Sequence, residues 1–241
     1  MTAQSILSVQ GVSRSFRGLK AVNEVSFEVP RGSICSLIGP NGAGKSTFFN
    51  LVTGYFAPDT GTITFEGRDI TGFSPVQVAH LGVARAFQIA KPFPGMSVTE
   101  NVRIGALFGR TGPRDVAAVT AQAMELAGLA ELHDREAREL TVGQLRRLEV
   151  ARALAARPSL LLADEPCAGL NPTETAEMVT ILRRIRDAGA TIVLVEHDMP
   201  AVMEVSDTVL VLEAGCLIAQ GKPEEIARDP RVIAAYLGTD E

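Results

Sequence analysis

The sequence predicts an α/β fold with a mostly parallel sheet, an antiparallel β part near the N-terminus and an inserted helical subdomain. Two apolar runs, residues 160–163 and 191–195, have the length of buried strands. Residues 172–187 between them read as a crossover helix, with Asn171 as its N-cap and Pro172 as its first residue. Alternation of strand, helix and strand is typical of a parallel sheet covered by helices.

Shorter strands are predicted on both sides of these elements. Residues 7–12 and 25–29 alternate apolar and polar side chains, as half-buried strands do. The turn signal Glu66-Gly67 and the pair Ala214-Gly215 mark chain reversals. The other predicted strands are residues 62–65, 83–87, 209–212 and 217–220, the last two joined as a hairpin.

The middle third of the chain has a helical pattern. Residues 115–130 carry apolar side chains at helical spacing, with Asp115 as a plausible cap and Gly128 near the stop. Residues 144–155 form a second predicted helix, which ends before Arg157-Pro158. The pattern indicates a helical subdomain inserted into the α/β core.

A length of 241 residues suits one domain with a subdomain. We place the core at residues 1–91 and 157–241, and the helical subdomain at about residues 92–156. The last residues, 238–241, are expected to fray.

Composition and charge exclude several function classes. Lys and Arg number 23 and Asp and Glu 28, so the formal net charge is −5, which argues against a nucleic-acid partner. The three cysteines, Cys35, Cys167 and Cys216, form no C-x-x-C pair, so neither a zinc site nor a disulfide framework is indicated. We expect no signal peptide and no membrane-spanning segment, so any link to a membrane runs through a partner.

Residues 39–47 read GPNGAGKST and fit G-x-x-x-x-G-K-[ST], the P-loop pattern. A buried strand is predicted before it, at residues 33–38, and a helix after it, at residues 45–52. Inward-facing N–H groups of such a loop hold phosphate oxygens. Lys45 is expected to reach the β- and γ-phosphates, and the Ser46 hydroxyl to bind Mg²⁺. The candidate nucleotide-binding residues here are Gly39, Pro40, Asn41, Gly42, Ala43, Gly44, Lys45, Ser46 and Thr47.

Two further segments carry candidate chemistry. Residues 160–165 read LLLADE, an apolar strand ending in Asp164 and Glu165, where parallel sheets bind ligands. Asp164 is expected to hold Mg²⁺, directly or through water, and Glu165 to orient the attacking water as general base. Residues 140–144 read LTVGQ before a long helix. A Thr hydroxyl, a glycine and a helix N-terminus make either a second anion site or an ordinary capped helix start.

The longer run LTVGQLRRLEVARAL resembles the signature sequence of ABC (ATP-binding cassette) transporter nucleotide-binding subunits, and it favours the anion site. The other motifs of that family follow in order. Gln88 in RAFQ resembles the Q-loop glutamine, residues 168–171 (AGLN) the D-loop, and His197 in VLVEHD the H-loop histidine. Phe16 is similar in position to the aromatic residue that stacks on adenine. The resemblance runs from residue 7 to residue 238.

This resemblance implies a P-loop NTPase of the ABC ATPase fold, with a RecA-like core, that hydrolyses ATP. Two copies are implied to join head to tail. Each ATP then lies between the P-loop of one copy and Thr141, Val142, Gly143 and Gln144 of the other. Glu165, His197 and Lys45 are the implied catalytic residues. The implied Mg²⁺ ligands are Ser46, Gln88 and Asp164.

Three positions depart from the common family pattern. Thr141 replaces the signature serine but keeps a hydroxyl, and Val142 replaces the first signature glycine, which leaves the local backbone path open. Asn171 stands where many members have aspartate, which bears on how the D-loop bonds across a dimer. Lys45 and Glu165 are retained, so an active ATPase is predicted.

Narrower similarities point to one branch of the family. The segments FFNLVTGYFAPDTGTITFEGRDITG and IAQGKPEEIARDPRVIAAYLG resemble the ATPases of branched-chain amino acid importers. The implied partners are membrane permeases, a second ATPase subunit and, indirectly, a periplasmic binding protein, at the cytoplasmic face of the inner membrane. Urea, short amides and aromatic acids stay open as substrates. A soluble ABC ATPase, such as one for iron–sulfur assembly, also stays open.

Overall fold

The computed structural model of the chain describes residues 4–89, 91–110 and 115–237, with the backbone alone at residue 237. The fraying expected at residues 238–241 lies outside this range. The chain divides into two compact units, Met1–Val78 with Val193–Glu241 and Ala79–Ile192. The narrower subdomain inferred at about residues 92–156 stays a prediction.

The helices and strands follow each other in a mixed α/β order. In chain order they are β1 (Ser5–Phe16), β2 (Leu19–Pro30), β3 (Ile34–Ile38), α1 (Lys45–Val52), β4 (Thr60–Phe65), β5 (Arg68–Asp69), α2 (Pro75–Leu81), β6 (Val83–Ala86), α3 (Val98–Phe108), α4 (Val116–Leu126), α5 (Val142–Ala155), β7 (Leu160–Asp164), α6 (Pro172–Asp187), β8 (Thr191–Val195), α7 (Met199–Val205), β9 (Thr208–Glu213), β10 (Cys216–Gly221), α8 (Pro223–Ile226) and α9 (Pro230–Leu237).

An antiparallel sheet with strand order β2-β1-β4-β5 lies in the first unit. The predicted strands at residues 7–12, 25–29 and 62–65 are confirmed as parts of longer strands. β1 and β2 continue to a tight turn at Arg17 and Gly18, which both have positive φ. The outer half of each strand was not predicted, because polar residues beside the turn interrupt the alternation of apolar and polar side chains.

The first unit also contains β3, β9 and β10. β3 runs parallel to β9, and β9 pairs antiparallel with β10, so the predicted hairpin is confirmed. Its turn residues, Ala214 and Gly215, have φ angles of 47° and 82°, which matches the right-handed twist of a hairpin. α7, α8 and α9 pack against these strands. Side chains from the strands and the helices together form one buried apolar cluster: Ile38, Val202, Val209, Val211, Ala219, Ile226 and Val232.

The second unit combines the parallel pair β6 and β7 with the helices α3, α4, α5 and α6. The two helices predicted in the middle third are confirmed as α4 and α5. α5 begins at Val142, two residues before the prediction, because Thr141 caps it. The sequence analysis assigned no separate helix to α3, although Ser97 and Glu100 form a capping box at its start. The described helices include no candidate for a membrane-spanning segment, since none combines the necessary length with an apolar composition.

Candidate functional site

The glycine-rich loop 39–44 joins β3 to α1 and follows a backbone path that only glycine fits at two points. Gly39 and Gly44 have φ angles of 148° and 107°. A Cβ atom at Gly39 would lie 2.1 Å from the carbonyl oxygen of Leu212, and one at Gly44 would lie 2.2 Å from that of Ala21. A side chain at either position would therefore strain the loop and displace a neighbouring strand.

Lys45 supplies a buried positive charge to this loop. Its residue is 7% exposed, and its Nζ donates to the carbonyl oxygens of Gly39 at 2.6 Å and Pro40 at 3.0 Å. α1 begins at Lys45, and no side chain of the described residues caps its first turn. The helix N-terminus and the ammonium group therefore favour an anion at the same place.

The other predicted residues of the loop surround this charge. Asn41 and Gly42 are exposed at the tip, while the N–H of the buried Ala43 donates to the Pro40 carbonyl at 3.2 Å. Ser46 is exposed on the first turn of α1, and Thr47 is half-buried. The nine predicted residues thus form the loop 39–44 and the first turn of α1, where N–H groups and an ammonium group are available to a phosphate.

Two pairs of side chains connect the ends of the parallel strands β6 and β7. Arg85 Nη2 donates to Asp164 Oδ2 at 2.5 Å, and the side chains are 9% and 8% exposed. Just beyond the ends of the two strands, Gln88 Nε2 donates to Glu165 Oε2. Because the strands are parallel, the residues after each strand emerge at the same edge. The predicted Gln88 and Glu165 are therefore in direct contact.

Arg85 was not predicted as a site residue, although its place in the sequence carries a signal. Arg85 lies in a four-residue strand between the buried residues Val83 and Ala86. A guanidinium group in such a strand needs an anionic partner, because burying an unpaired charge is costly.

Glu165 has a positive φ of 50°, which is uncommon for a residue with a side chain and often accompanies a functional site.

The predicted Mg²⁺ ligands fit that ion in their chemistry. Asp164 offers a carboxylate, Gln88 an amide oxygen and Ser46 a hydroxyl, and Mg²⁺ prefers such oxygen donors together with phosphate and water. Within the described ranges, no group of three or more His, Cys, Asp and Glu side chains could hold a metal ion. Ser46 belongs to the first unit and the other two residues to the second, so their joint coordination of one ion stays a prediction.

The signature segment forms the capped start of α5. The Thr141 hydroxyl accepts from the Gln144 N–H at 3.3 Å, and the Gln144 Oε1 accepts from the Thr141 N–H at 3.0 Å. Val142 is the first helical residue and is 56% exposed. The backbone path left open by valine at this position is thus a regular helix start. A Cβ at Gly143 would lie 2.6 Å from Glu174 Oε1, so the second signature glycine allows a close approach of α6.

His197 lies between β8 and α7, and its backbone N–H donates to Glu196 Oε2 at 3.1 Å. The side chain of Glu196 is buried, whereas His197 is exposed. Asp198 follows as the N-cap of α7 and accepts from the Ala201 N–H at 3.0 Å. His197 belongs to the first unit and Glu165 to the second, so the expected action of His197 on Glu165 stays a prediction.

Phe16 ends β1 within an aromatic and cationic group. Its ring packs edge-on against Phe56 with 5.2 Å between the ring centroids, and the Arg14 guanidinium carbon lies 5.0 Å from the Phe16 centroid. Arg14 is itself paired with Asp59 at 2.7 Å. The sequence analysis missed Phe56 and Arg14. Stacking of adenine on Phe16 stays a prediction.

Comparison with known protein families gives two matches. A model described as ABC transporter matches residues 22–168, and one described as branched-chain amino acid ATP-binding cassette transporter matches residues 216–241. The chain is also similar to curated proteins named as branched-chain amino acid transport ATP-binding proteins. LivG from Salmonella typhimurium is 42% identical, over 98% of this chain and 99% of its own length. BraF from Pseudomonas aeruginosa is 39% identical over the same shares.

Solved structures similar to the chain have the same fold. A nucleotide-free ATP-binding cassette from an ABC transporter is 31% identical, with a TM-score of 0.88 over 98% of this chain and all of that one. The ADP conformation of such a cassette is also 31% identical, with a TM-score of 0.89 over the same shares. These similarities extend over both compact units, and the P-loop, the β7 carboxylates and the signature helix all lie within the matched length.

Proposed function

Because this chain belongs to the ABC transporter family of ATP-binding proteins, we propose that it binds and hydrolyses ATP to power an importer of branched-chain amino acids. The observation that carries the proposal is the similarity of 42% over 98% of the chain to a high-affinity branched-chain amino acid transport ATP-binding protein. The second family match, at residues 216–241, supports the same branch.

The P-loop is proposed to hold the triphosphate. Lys45 would exchange the carbonyl oxygens of Gly39 and Pro40 for β- and γ-phosphate oxygens, since an ammonium bonds an anion more strongly than a neutral acceptor. Ser46, Gln88 and Asp164 would hold Mg²⁺. When bound, this ion neutralises phosphate charge in the transition state.

Glu165 is proposed to orient the attacking water and accept its proton. Its contact with Gln88 supports this assignment, because the amide holds the carboxylate at the edge of the parallel strands. His197 would bond the γ-phosphate and orient Glu165, and Phe16 would stack on the adenine. Phosphoryl transfer of this kind depends on positioning and charge stabilisation more than on covalent chemistry.

Two copies are proposed to enclose ATP head to tail, either as a homodimer or with a second ATPase subunit. The exposed signature residues Thr141 and Val142 support this arrangement, because they are accessible to another chain. The P-loop of one copy and residues 141–144 of the other would then bind the same γ-phosphate. Hydrolysis would remove the bridge and release the interface.

The transporter's remaining subunits are proposed to be membrane permeases and, indirectly, a periplasmic binding protein. The chain would lie peripherally at the cytoplasmic face of the inner membrane. Exposed apolar side chains near Gln88 support contact with a permease, because such groups mark protein interaction sites. Phe87, Ile89, Phe93 and Met96 are between 39% and 67% exposed.

Uptake of labelled leucine tests the proposal. Cells that lack this chain are complemented with the wild type, Glu165→Gln or Glu125→Gln, the last removing an exposed carboxylate of α4 as a charge-matched control. We expect the wild type and the control to restore uptake and Glu165→Gln to fail. Uptake that never depends on the chain would reject the branched-chain substrate, and labelled urea, short amides and aromatic acids would then be compared.

A further inference from the structure

The segment that follows β6 carries Gln88 and several exposed apolar residues. We name residues 87–89 and 91–96 the Gln88 loop. Phe87 is 40% exposed, Ile89 67% and Phe93 44%. Since these large side chains face solvent, apolar burial contributes little to the conformation of this loop. Its conformation depends instead on polar contacts from two helices.

Glu149 of α5 provides the first set of contacts. Its residue is only 8% exposed, and its Oε2 accepts from Arg152 Nη1 at 2.9 Å. Burial raises the pKa of Glu149, while Arg152 and the backbone N–H groups of Phe87 and Lys91 oppose the rise by stabilising the charged form. The buried carboxylate thus holds Arg152, which in turn bonds the chain that follows Gln88.

Arg152, one turn further along α5, provides the second set. Its Nη1 donates to Glu149 Oε2 at 2.9 Å and to the Lys91 carbonyl oxygen at 2.9 Å. Its guanidinium carbon lies 5.6 Å from the centroid of the Phe93 ring. Asn101 of α3 holds the far end of the loop, because its side chain accepts from the Phe93 N–H at 2.8 Å and donates to the Phe93 carbonyl at 3.1 Å.

We propose that Glu149 and Arg152 are positioning residues that bind the Gln88 loop to α5, so that Gln88 and the signature residues move together. Val142 begins α5 seven residues before Glu149, which is about 10 Å along the helix axis. Charge-assisted hydrogen bonds are stronger than neutral ones, so the bonds of Arg152 hold the loop firmly to α5. The inference rests on the proposed function, in which Gln88 holds the Mg²⁺ that accompanies ATP.

Hydrogen exchange of the full chain without nucleotide tests the contacts themselves. Glu149→Gln removes the charge and keeps the size, and Arg152→Lys keeps the charge but loses the planar fork. In both variants we expect the amides of the Gln88 loop to exchange about tenfold faster, with those of α1 unchanged. Glu125→Gln is the control and should not change the amide exchange rates of the Gln88 loop or of α1. Wild-type exchange of the loop amides in both variants would overturn the proposal.

Separate measurements of ATP affinity and of kcat test whether Glu149 and Arg152 act as positioning residues. Glu149 and Arg152 belong to the second unit and the P-loop to the first, so we expect the ATP dissociation constant of both variants to stay within about twofold of wild type, whereas kcat falls about tenfold. A fall in ATP affinity equal to the fall in kcat would indicate general damage and overturn the role, and so would an unchanged kcat in a variant with a freed loop. Failure of the wild type to hydrolyse ATP would reject the proposed function, while the exchange result would stand.

Discussion

The guanidinium of Arg85 lies 2.5 Å from the carboxylate of Asp164, and both side chains are less than a tenth exposed. Removal of one partner leaves a buried charge without its counter-ion, whereas replacement of both is often tolerated. We expect Arg85→Met to lower the free energy of unfolding by about 3 to 5 kcal/mol. Urea denaturation of the full chain, followed by circular dichroism, measures this loss.

The matched control is the exposed pair of Arg31 and Glu66, whose side chains are 41% and 26% exposed. Solvent screens this pair, so Arg31→Met should cost less than about 1 kcal/mol. The double variant Arg85→Met with Asp164→Leu should regain most of the stability lost by Arg85→Met alone. Equal costs for the two arginine substitutions would contradict the importance of burial at Arg85.

At Gly105, α3 lies close against the backbone of α5. A Cβ atom at this position would lie 2.1 Å from the Arg152 carbonyl oxygen and 3.2 Å from the Ala155 Cβ. Alanine gains about 1 kcal/mol over glycine in helix propensity, but overlap with backbone atoms forces the helices apart. We expect Gly105→Ala to be destabilised by about 1 to 3 kcal/mol despite that gain.

Thermal unfolding compares Gly105→Ala with Gly95→Ala. Among the described residues, no heavy atom lies within 4 Å of a Cβ built at Gly95, and its φ is not positive. This substitution should therefore leave the unfolding temperature close to that of wild type. A Gly105→Ala variant as stable as Gly95→Ala would show that the two helices separate without cost.

The elements whose bounds were predicted correctly are those that a short run of neighbouring residues specifies. The bounds predicted for α6 match those observed, because Asn171, Pro172 and Glu174 specify its start within four residues. The P-loop residues were identified in the same way. The Arg85 to Asp164 pair joins residues 79 apart in sequence, and it depends on the pairing of β6 with β7. An arginine within a short apolar strand signals a need for an anionic partner, but no local pattern identifies that partner as Asp164, so the pair was missed.

The contacts of Glu149 escaped prediction for a related reason. In sequence it reads as one charged residue of a helix that also carries three arginines, and charged residues are usually solvent-exposed. It is buried where Arg152 bonds both its carboxylate and the Lys91 carbonyl oxygen of the segment after β6. The burial of Glu149 therefore depends on tertiary packing, and the helical pattern of the sequence alone cannot predict it.

Lys45→Met should abolish most ATP binding while leaving the fold intact. The ammonium forms two hydrogen bonds to loop carbonyls, and hydrogen bonds to charged groups contribute about 1.5 to 3 kcal/mol each. Loss of one such bond to phosphate would weaken ATP binding by at least about tenfold. Titration with a fluorescent ATP analogue measures the affinity. Lys222→Met removes an exposed lysine as a control, and equal affinity of the two variants would refute the role of Lys45.

Two of the three thiols, those of Cys35 and Cys216, should differ sharply in reactivity towards iodoacetamide. Cys35 is fully buried in β3, and burial raises the pKa of its thiol to about 12. Cys216 is partly exposed at the start of β10. Because the thiolate is the reacting species, only about 0.1% of Cys35 would be ionised at pH 9 even if reagent reached it.

Mass spectrometry of the native protein, labelled at pH 7 and at pH 9, should therefore find Cys216 modified well before Cys35. The raised pKa keeps Cys35 protonated over this whole range, so Cys35 should stay unmodified at both pH values. In denaturant both thiols should react at similar rates, because unfolding removes the burial that separates them. Rapid modification of Cys35 in the native protein would mean that β3 opens to solvent, and Cys216→Ser provides the control that isolates its signal.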